Sequence, residues 1–268
     1  MTARSNTSLE PSTAAESGPD RPRGTAVQVD GVSKSFGRGG QPVLEGIDLT
    51  IRRGEFVCLL GASGCGKSTL LAILAGLEPA TTGTVAVEGG AATLMFQEPA
   101  LLPWLTATRN VELALQRRGV PRRQRRDQAR ELLSVVRLGG AEDKRVHELS
   151  GGMRQRVALA RSLAQEREVL LMDEPFAALD AITRDVLHDE LERVWHETGR
   201  TIVFVTHNVR EAVRLGERVL LMSSRPGRVV REWQVDIVGQ RRIETPAVSE
   251  LSLEITDHLR REIRRHAA

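Results

Sequence analysis

The chain has 268 residues, and its 38 basic and 35 acidic side chains leave a formal net charge of only +3. A hydrophobic fraction of 40% is enough for a sizeable core in one large domain or two small ones. No apolar run reaches the roughly 18 residues that a membrane-spanning helix needs, so none is predicted. The first stretch, Met1 to Gly24, is rich in Ser, Thr, Pro, Gly and Ala. It lacks the apolar centre of a secretory signal and reads as a disordered tail. The two cysteines, Cys58 and Cys65, fall on a predicted strand and in a loop. That placement argues against a structural disulfide and fits a reducing compartment.

After a β-rich start, Glu55 to Leu60 forms a short apolar run that predicts a strand. Gly61-Ala62-Ser63-Gly64-Cys65-Gly66-Lys67-Ser68-Thr69 follows and fits the phosphate-loop pattern G-x-x-x-x-G-K-[ST]. A helix is predicted from Ser68 to Ala75, with Gly76 past its end as a cap. Each residue type has a physical task. The glycines let consecutive N–H groups turn inward, and the helix start adds positive partial charge beneath phosphates. Lys67 is placed for the β- and γ-phosphates, and the Ser68 hydroxyl for Mg²⁺. Cys65 beside the phosphates is either a redox-sensitive thiol or a tolerated filler.

Next come a strand-turn segment from Gly83 to Gly90, the run Thr93-Leu94-Met95-Phe96 before Gln97, and a mostly helical stretch from Ala100 to Leu163. Ser150 is an N-cap candidate for a helix whose first positions, Gly151 and Gly152, leave their N–H groups bare. Val157, Ala160, Leu163 and Ala164 recur at helical spacing behind it. Val169 to Met172 is an apolar run ending in Asp173 and Glu174, a buried strand delivering two acids to its C-terminal edge. Helix 181–198, strand 201–205, helix 209–215, and strands 219–222 and 229–233 complete the pattern. Val248, Leu251, Ile255, Leu259 and Ile263 then mark one face of an amphipathic helix. This alternation predicts an α/β fold with a mainly parallel sheet core and an inserted helical subdomain at about 98–163.

The segment Leu149-Ser150-Gly151-Gly152-Met153-Arg154-Gln155-Arg156 closely resembles the signature motif of ATP-binding cassette (ABC) ATPases. The resemblance covers 25–235, with 236–268 as a C-terminal extension, and it implies a P-loop NTPase of the ABC type, with an antiparallel β part added to the parallel core. By resemblance, Phe36 stacks on adenine, Gln97 is the Q-loop glutamine that senses Mg²⁺ and the γ-phosphate, and Asp173 holds Mg²⁺ with Ser68. Glu174 polarises the attacking water, Asp180 belongs to the D-loop, and His207 is the switch histidine. Ser150, Gly151, Gly152 and Met153 of one copy then close over the ATP of a second copy. Asn208 departs from the Asp usual after the switch histidine, and Gly216-Glu217-Arg218 departs from Ala-Asp-Arg.

Pro99 to Thr106, Met153 and Ser224-Arg225-Pro226-Gly227-Arg228 resemble the nitrate/sulfonate/taurine importer ATPases. The implied function is ATP hydrolysis that energises uptake of a small anion, with ATP and Mg²⁺ bound. The implied partners are a second copy, separate permease subunits and, indirectly, a solute-binding protein. The implied location is the cytoplasmic face of the membrane. A soluble, non-transport ABC ATPase is the alternative, and no nucleic-acid partner is expected. Leu101, Leu102, Trp104 and Leu105 around Pro103 are either a permease anchor or helical-subdomain core. Arg117, Arg118, Arg122, Arg123, Arg125 and Arg126 are either a solvated helix face or a nucleic-acid or lipid-headgroup patch.

Overall fold

A computed structural model describes residues 24–37, 39–237, 241 and 245–267; apart from Gly24, the tail expected at 1–24 lies outside them. Two sheets organise the chain. Strands β1 (Thr25–Ser35), β2 (Pro42–Arg52) and β4 (Thr82–Val87) form an antiparallel sheet in the order β2-β1-β4. The second sheet uses β3 (Phe56–Gly61), β5 (Thr93–Met95), β6 (Val169–Asp173), β7 (Thr201–Val205), β8 (Arg218–Met222) and β9 (Val229–Gln234). Its order is β5-β6-β7-β3-β8-β9, parallel except for the β8–β9 pair.

The central strands are buried on both faces, which is why they read as unbroken apolar runs. Alternation along β3 splits its side chains between two cores. Phe56, Cys58 and Leu60 face the helices α4 (Gly151–Leu163), α5 (Ala181–Thr198) and α6 (Val209–Leu215). Val57 and Leu59 face α1 (Lys67–Leu74) and the antiparallel sheet. The first helix is thus clamped between the sheets by Leu70, Leu71 and Leu74. Gly76 follows with φ 70 and its N–H on the Ile73 carbonyl, a left-handed ending that suits glycine.

Helices α2 (Ala107–Arg117) and α3 (Arg122–Val135) pack with α4 through Val111, Leu115, Ala129, Leu133 and Val157, all fully buried. Side-chain caps fix where helices begin: Thr106 for α2, Ser150 for α4, Asp180 for α5 and Asn208 for α6. The final helix, α7 (Pro246–Ala267), buries Val248 and Ile255 in the same core, with Leu251 and Leu259 half-buried against it. Ile263, which the spacing places on that face, is exposed. The core it would join ends before the last turns of α7.

Both cysteines are free and buried. Among the described residues no helix is long and apolar enough to cross a membrane.

Candidate active site

Sheet register places the functional segments on one edge. Leu59 of β3 pairs with Val205 of β7, which pairs with Asp173 of β6. The loops leaving these three strands therefore emerge side by side at their C-terminal ends, where open α/β sheets bind ligands.

From β3 the chain turns through Gly61 to Gly66 into α1. Gly66 has φ 99, and no side chain caps the helix start. Its first N–H groups are available to an anion. Glycine is required by close approach as well. A Cβ on Gly61 would stand 2.6 Å from Cys65 Sγ, and one on Gly66 would stand 2.6 Å from Leu44 Cδ2. Lys67 is buried, with Nζ donating to the carbonyls of Gly61 (2.8 Å) and Ala62 (2.9 Å) and lying 3.7 Å from Cys65 Sγ. Its ammonium is held inside the loop's curve.

The Ser68 hydroxyl lies near enough to the Asp173 carboxylate to act on its titration. Burial pushes the Asp173 carboxyl above its ordinary value and Glu174 adds to this, while Ser68 and Lys67 pull the other way. Glu174 sits at φ 44, a backbone region uncommon outside glycine, and its N–H is fixed to the Val205 carbonyl at 3.0 Å. Its Oε2 lies 2.9 Å from His207 Nδ1. Lys67, Ser68, Asp173, Glu174 and His207 thus form one cluster.

The remaining candidates lie outside that cluster. Phe36 is half exposed, with Lys34 Nζ 4.8 Å above its ring; Lys34 is tied down by Glu78 and the Pro79 carbonyl. The side chain of Gln97 is exposed, and Gln155 of α4 donates to its carbonyl at 2.9 Å. Ser150 accepts from the Met153 N–H at the start of α4. Gly151 meets Leu179, and a Cβ on Gly152 would stand 2.5 Å from Thr183 Cγ2 of α5. Asp180 accepts from the Thr183 N–H, and backbone hydrogen bonding there draws its carboxyl below the ordinary value. Asn208 caps α6 through Arg210 and Glu211, a task Asn and Asp perform equally well.

Trp104 is 69% exposed, while Leu101, Leu102 and Leu105 are half-buried. Asn110 clamps this segment by bonding both the N–H and carbonyl of Leu102 and the carbonyl of Thr106. In the basic stretch, Arg118 caps α4 at the Ala164 carbonyl and pairs with Glu166, Arg125 holds the Val120 carbonyl, and Arg126 pairs with Asp143. Those contacts are helix-end and surface contacts.

One contributor escapes sequence reasoning. Gly227 lies against the phosphate loop, where a Cβ would stand 2.1 Å from the Cys65 carbonyl oxygen. Its N–H and carbonyl pair with Val43 and Glu45. The only signal was the Arg-Pro-Gly turn, which does not reveal its distant neighbour. Gly227→Ala is expected to displace the loop. Overpacking there costs about 1–3 kcal/mol, read as a lower melting temperature with a raised KM for ATP.

Asp173 gives a signed pH prediction. A carboxyl raised in the folded state stabilises the fold below its unfolded pKa, and that contribution is lost as pH rises through the folded pKa. Asp173→Asn should therefore raise the melting temperature of the nucleotide-free protein at neutral pH, with a gain that shrinks at acid pH. The same variant should lose Mg²⁺-dependent turnover. Thermal melts at two pH values check the first part and a steady-state assay the second.

The fit to the bound groups can be judged from these contacts. The uncapped helix start, Lys67 and the glycine-lined loop suit a polyphosphate. Ser68 and Asp173 offer a hydroxyl and a carboxylate, hard oxygens of the kind Mg²⁺ takes. Among the described residues no group of three or more His, Cys, Asp or Glu could hold a metal by itself. That sparse set matches an ion completed by phosphates and water.

Comparison with known proteins agrees with this geometry. The family model described as "ABC transporter" matches residues 44–177. Taurine import ATP-binding protein TauB of Burkholderia thailandensis is 44% identical over 240 residues, covering 84% of this chain and 92% of that one. Nitrate import ATP-binding protein NrtD of Synechocystis is 45% identical over 216 residues, covering 78% and 80%. Among solved structures, a dimeric ATP-binding cassette in a post-hydrolysis state with ADP and Pi superposes with a TM-score of 0.69 at 34% identity, covering 79% of this chain and 99% of that one. The chain belongs to the ABC transporter family and is one of its ATP-hydrolysing cassettes.

Proposed function

We propose that this ATPase energises import of a small organic or inorganic anion, of the taurine, sulfonate or nitrate kind, through separate permease subunits. The observation that carries the catalytic part is the 2.9 Å contact of Glu174 with His207 at the sheet edge where Asp173 ends β6 beside the phosphate loop. The import part rests on the likeness to the taurine and nitrate import ATP-binding proteins.

Lys67, with the N–H groups of Gly64 to Thr69, binds the ATP phosphates, and Phe36 offers the free face of its ring to adenine. Ser68, Asp173 and the Gln97 side chain hold Mg²⁺. When bound, that ion neutralises charge on the phosphates. Glu174 orients and deprotonates the attacking water through the oxygen that His207 does not engage. His207, held against Glu174, would contact the γ-phosphate. Ser150, the cap of α4, and Gly151, Gly152 and Met153 in its first turn serve the nucleotide of a second copy. Asp180, at the neighbouring start of α5, faces the same junction. A solute-binding protein delivers the anion outside, and the cassette works peripherally on the cytoplasmic side.

Trp104 supports the permease contact. A large exposed indole on a segment clamped by Asn110 is a rigid apolar anchor. Trp104→Glu is expected to leave folding and basal ATPase activity intact while abolishing co-purification with the permease and anion uptake. Normal uptake by the variant would remove Trp104 from the interface. Fractionation separates import from the non-transport alternative: co-expressed with its permease, the protein should sediment with membranes. A protein that stays wholly soluble favours the alternative.

A further inference from the structure

Behind the catalytic cluster lies a buried polar chain that the mechanism above does not use. His188 of α5 is 2% exposed, and Glu211 of α6 is 5% exposed. His188 Nε2 lies 2.5 Å from Glu211 Oε1. The other Glu211 oxygen accepts from the Thr206 hydroxyl. The Thr206 oxygen in turn accepts from the Asn208 N–H at 3.0 Å. Thr206 and Asn208 flank His207, so both ends of the histidine's peptide unit are anchored to Glu211 through one hydroxyl.

The imidazole is positioned from its other side too. Its Nδ1 lies 3.5 Å from Arg214 Nη1 and 3.8 Å from Asp185 Oδ1, while Nε2 meets the Glu211 carboxylate, which accepts. Arg214 also binds Asp185 (2.9 Å) and Asp189 (2.6 Å), which clips α6 to α5. The ring of Phe176, two residues after Glu174, packs on His188 with centroids 5.6 Å apart. His188 therefore touches the loop after β6 directly and the loop after β7 through Glu211. Between the two loops is a cavity of about 20 Å³, with Glu174, His207 and Glu211 on its wall. It has room for about one water.

Stability alone does not account for this arrangement. Burying a His–Glu pair carries a desolvation cost, and a well-packed apolar pair is often as stable or more so. What the polar chain supplies is direction: it fixes one rotamer of Thr206 and one path for the backbone at His207. Its origin is also specific. Helix α5 starts at the Asp180 cap, and its Thr183 packs on Gly152. We propose that His188 and Glu211 are positioning residues, which set the switch histidine His207 against Glu174 and tie that setting to the position of helix α5. The proposal rests on the catalytic reading of Glu174 and His207 given above.

The test uses full-length wild-type protein and the variants His188→Leu, His188→Gln and Glu211→Gln. It measures kcat and KM for Mg-ATP together with melting temperature. Misplacing a catalytic group by about 1 Å costs up to roughly 10²-fold. His188→Leu, which has no donor for Glu211, should therefore lower kcat about 10- to 100-fold with KM little changed. The amide of His188→Gln can still donate to Glu211 and should restore most of kcat. Glu211→Gln keeps the side-chain shape but presents a donor to one of its two partners, and should lower kcat like His188→Leu.

A folded His188→Leu or Glu211→Gln with wild-type kcat would overturn the proposal. So would losses in the Leu and Gln variants that follow melting temperature alone. If His188→Leu does not fold, Glu211→Gln and His188→Gln decide the question by the same criteria. Wild-type protein without ATPase activity would instead refute the catalytic reading itself.

Discussion

Lys67→Ala is expected to remove measurable ATP binding and, with it, hydrolysis. Lys67 is the cation that the fold holds within the phosphate loop, 94% buried and hydrogen-bonded to the Gly61 and Ala62 carbonyls. Truncating one member of a desolvated charge pair costs roughly 2–5 kcal/mol, about 30- to 5,000-fold in affinity. The two carbonyls also lose their donor, so a modest drop in melting temperature should accompany the loss. Calorimetric titration with ATP and a thermal melt report the two effects separately. An affinity equal to wild type would contradict the assignment of the loop.

Glu174→Gln should have the opposite signature: nucleotide binding retained and turnover lost. The amide matches the carboxylate in shape and can still meet His207, and its backbone at φ 44 stays held by Val205. What disappears is a proton acceptor, worth about 10²- to 10⁴-fold in rate for general base catalysis. Single-turnover hydrolysis in the presence of saturating Mg-ATP measures it. A rate within a few-fold of wild type would move the base elsewhere.

The fold was legible where burial and caps write plainly in sequence. Strands β3, β6 and β7 are buried on both faces, so each is an uninterrupted apolar run with clear ends. Helices α5 and α6 begin at the polar caps Asp180 and Asn208, where the predicted helices 181–198 and 209–215 also start. The antiparallel sheet was readable only as β-rich. Its β1–β2 register shifts repeatedly, notably between Val29 and Val32, and bulges break the period-two pattern that a reader relies on.

The candidate site residues stand out because each occupies a strand end or glycine-rich turn within a recognisable motif. Their supports did not. His188 and Glu211 are 23 residues apart on different helices, and each alone looks like an ordinary helix residue. Gly227 meets Cys65 only because β8 lies beside β3. Contacts between non-neighbouring elements need the folded topology before they can be seen. The apolar face of α7 was read one residue too long, because spacing marks Ile263 but not where its covering core stops.

The central claim is that each complete catalytic site is shared, with Ser150 to Met153 of one copy closing over ATP held by Lys67 of another. Its most direct test is the solution mass of Glu174→Gln by light scattering, with and without saturating Mg-ATP. The account predicts a single-chain mass without nucleotide and twice that mass with it, because unhydrolysed ATP bridges the two copies. A variant that binds ATP fully yet keeps the single-chain mass would contradict it.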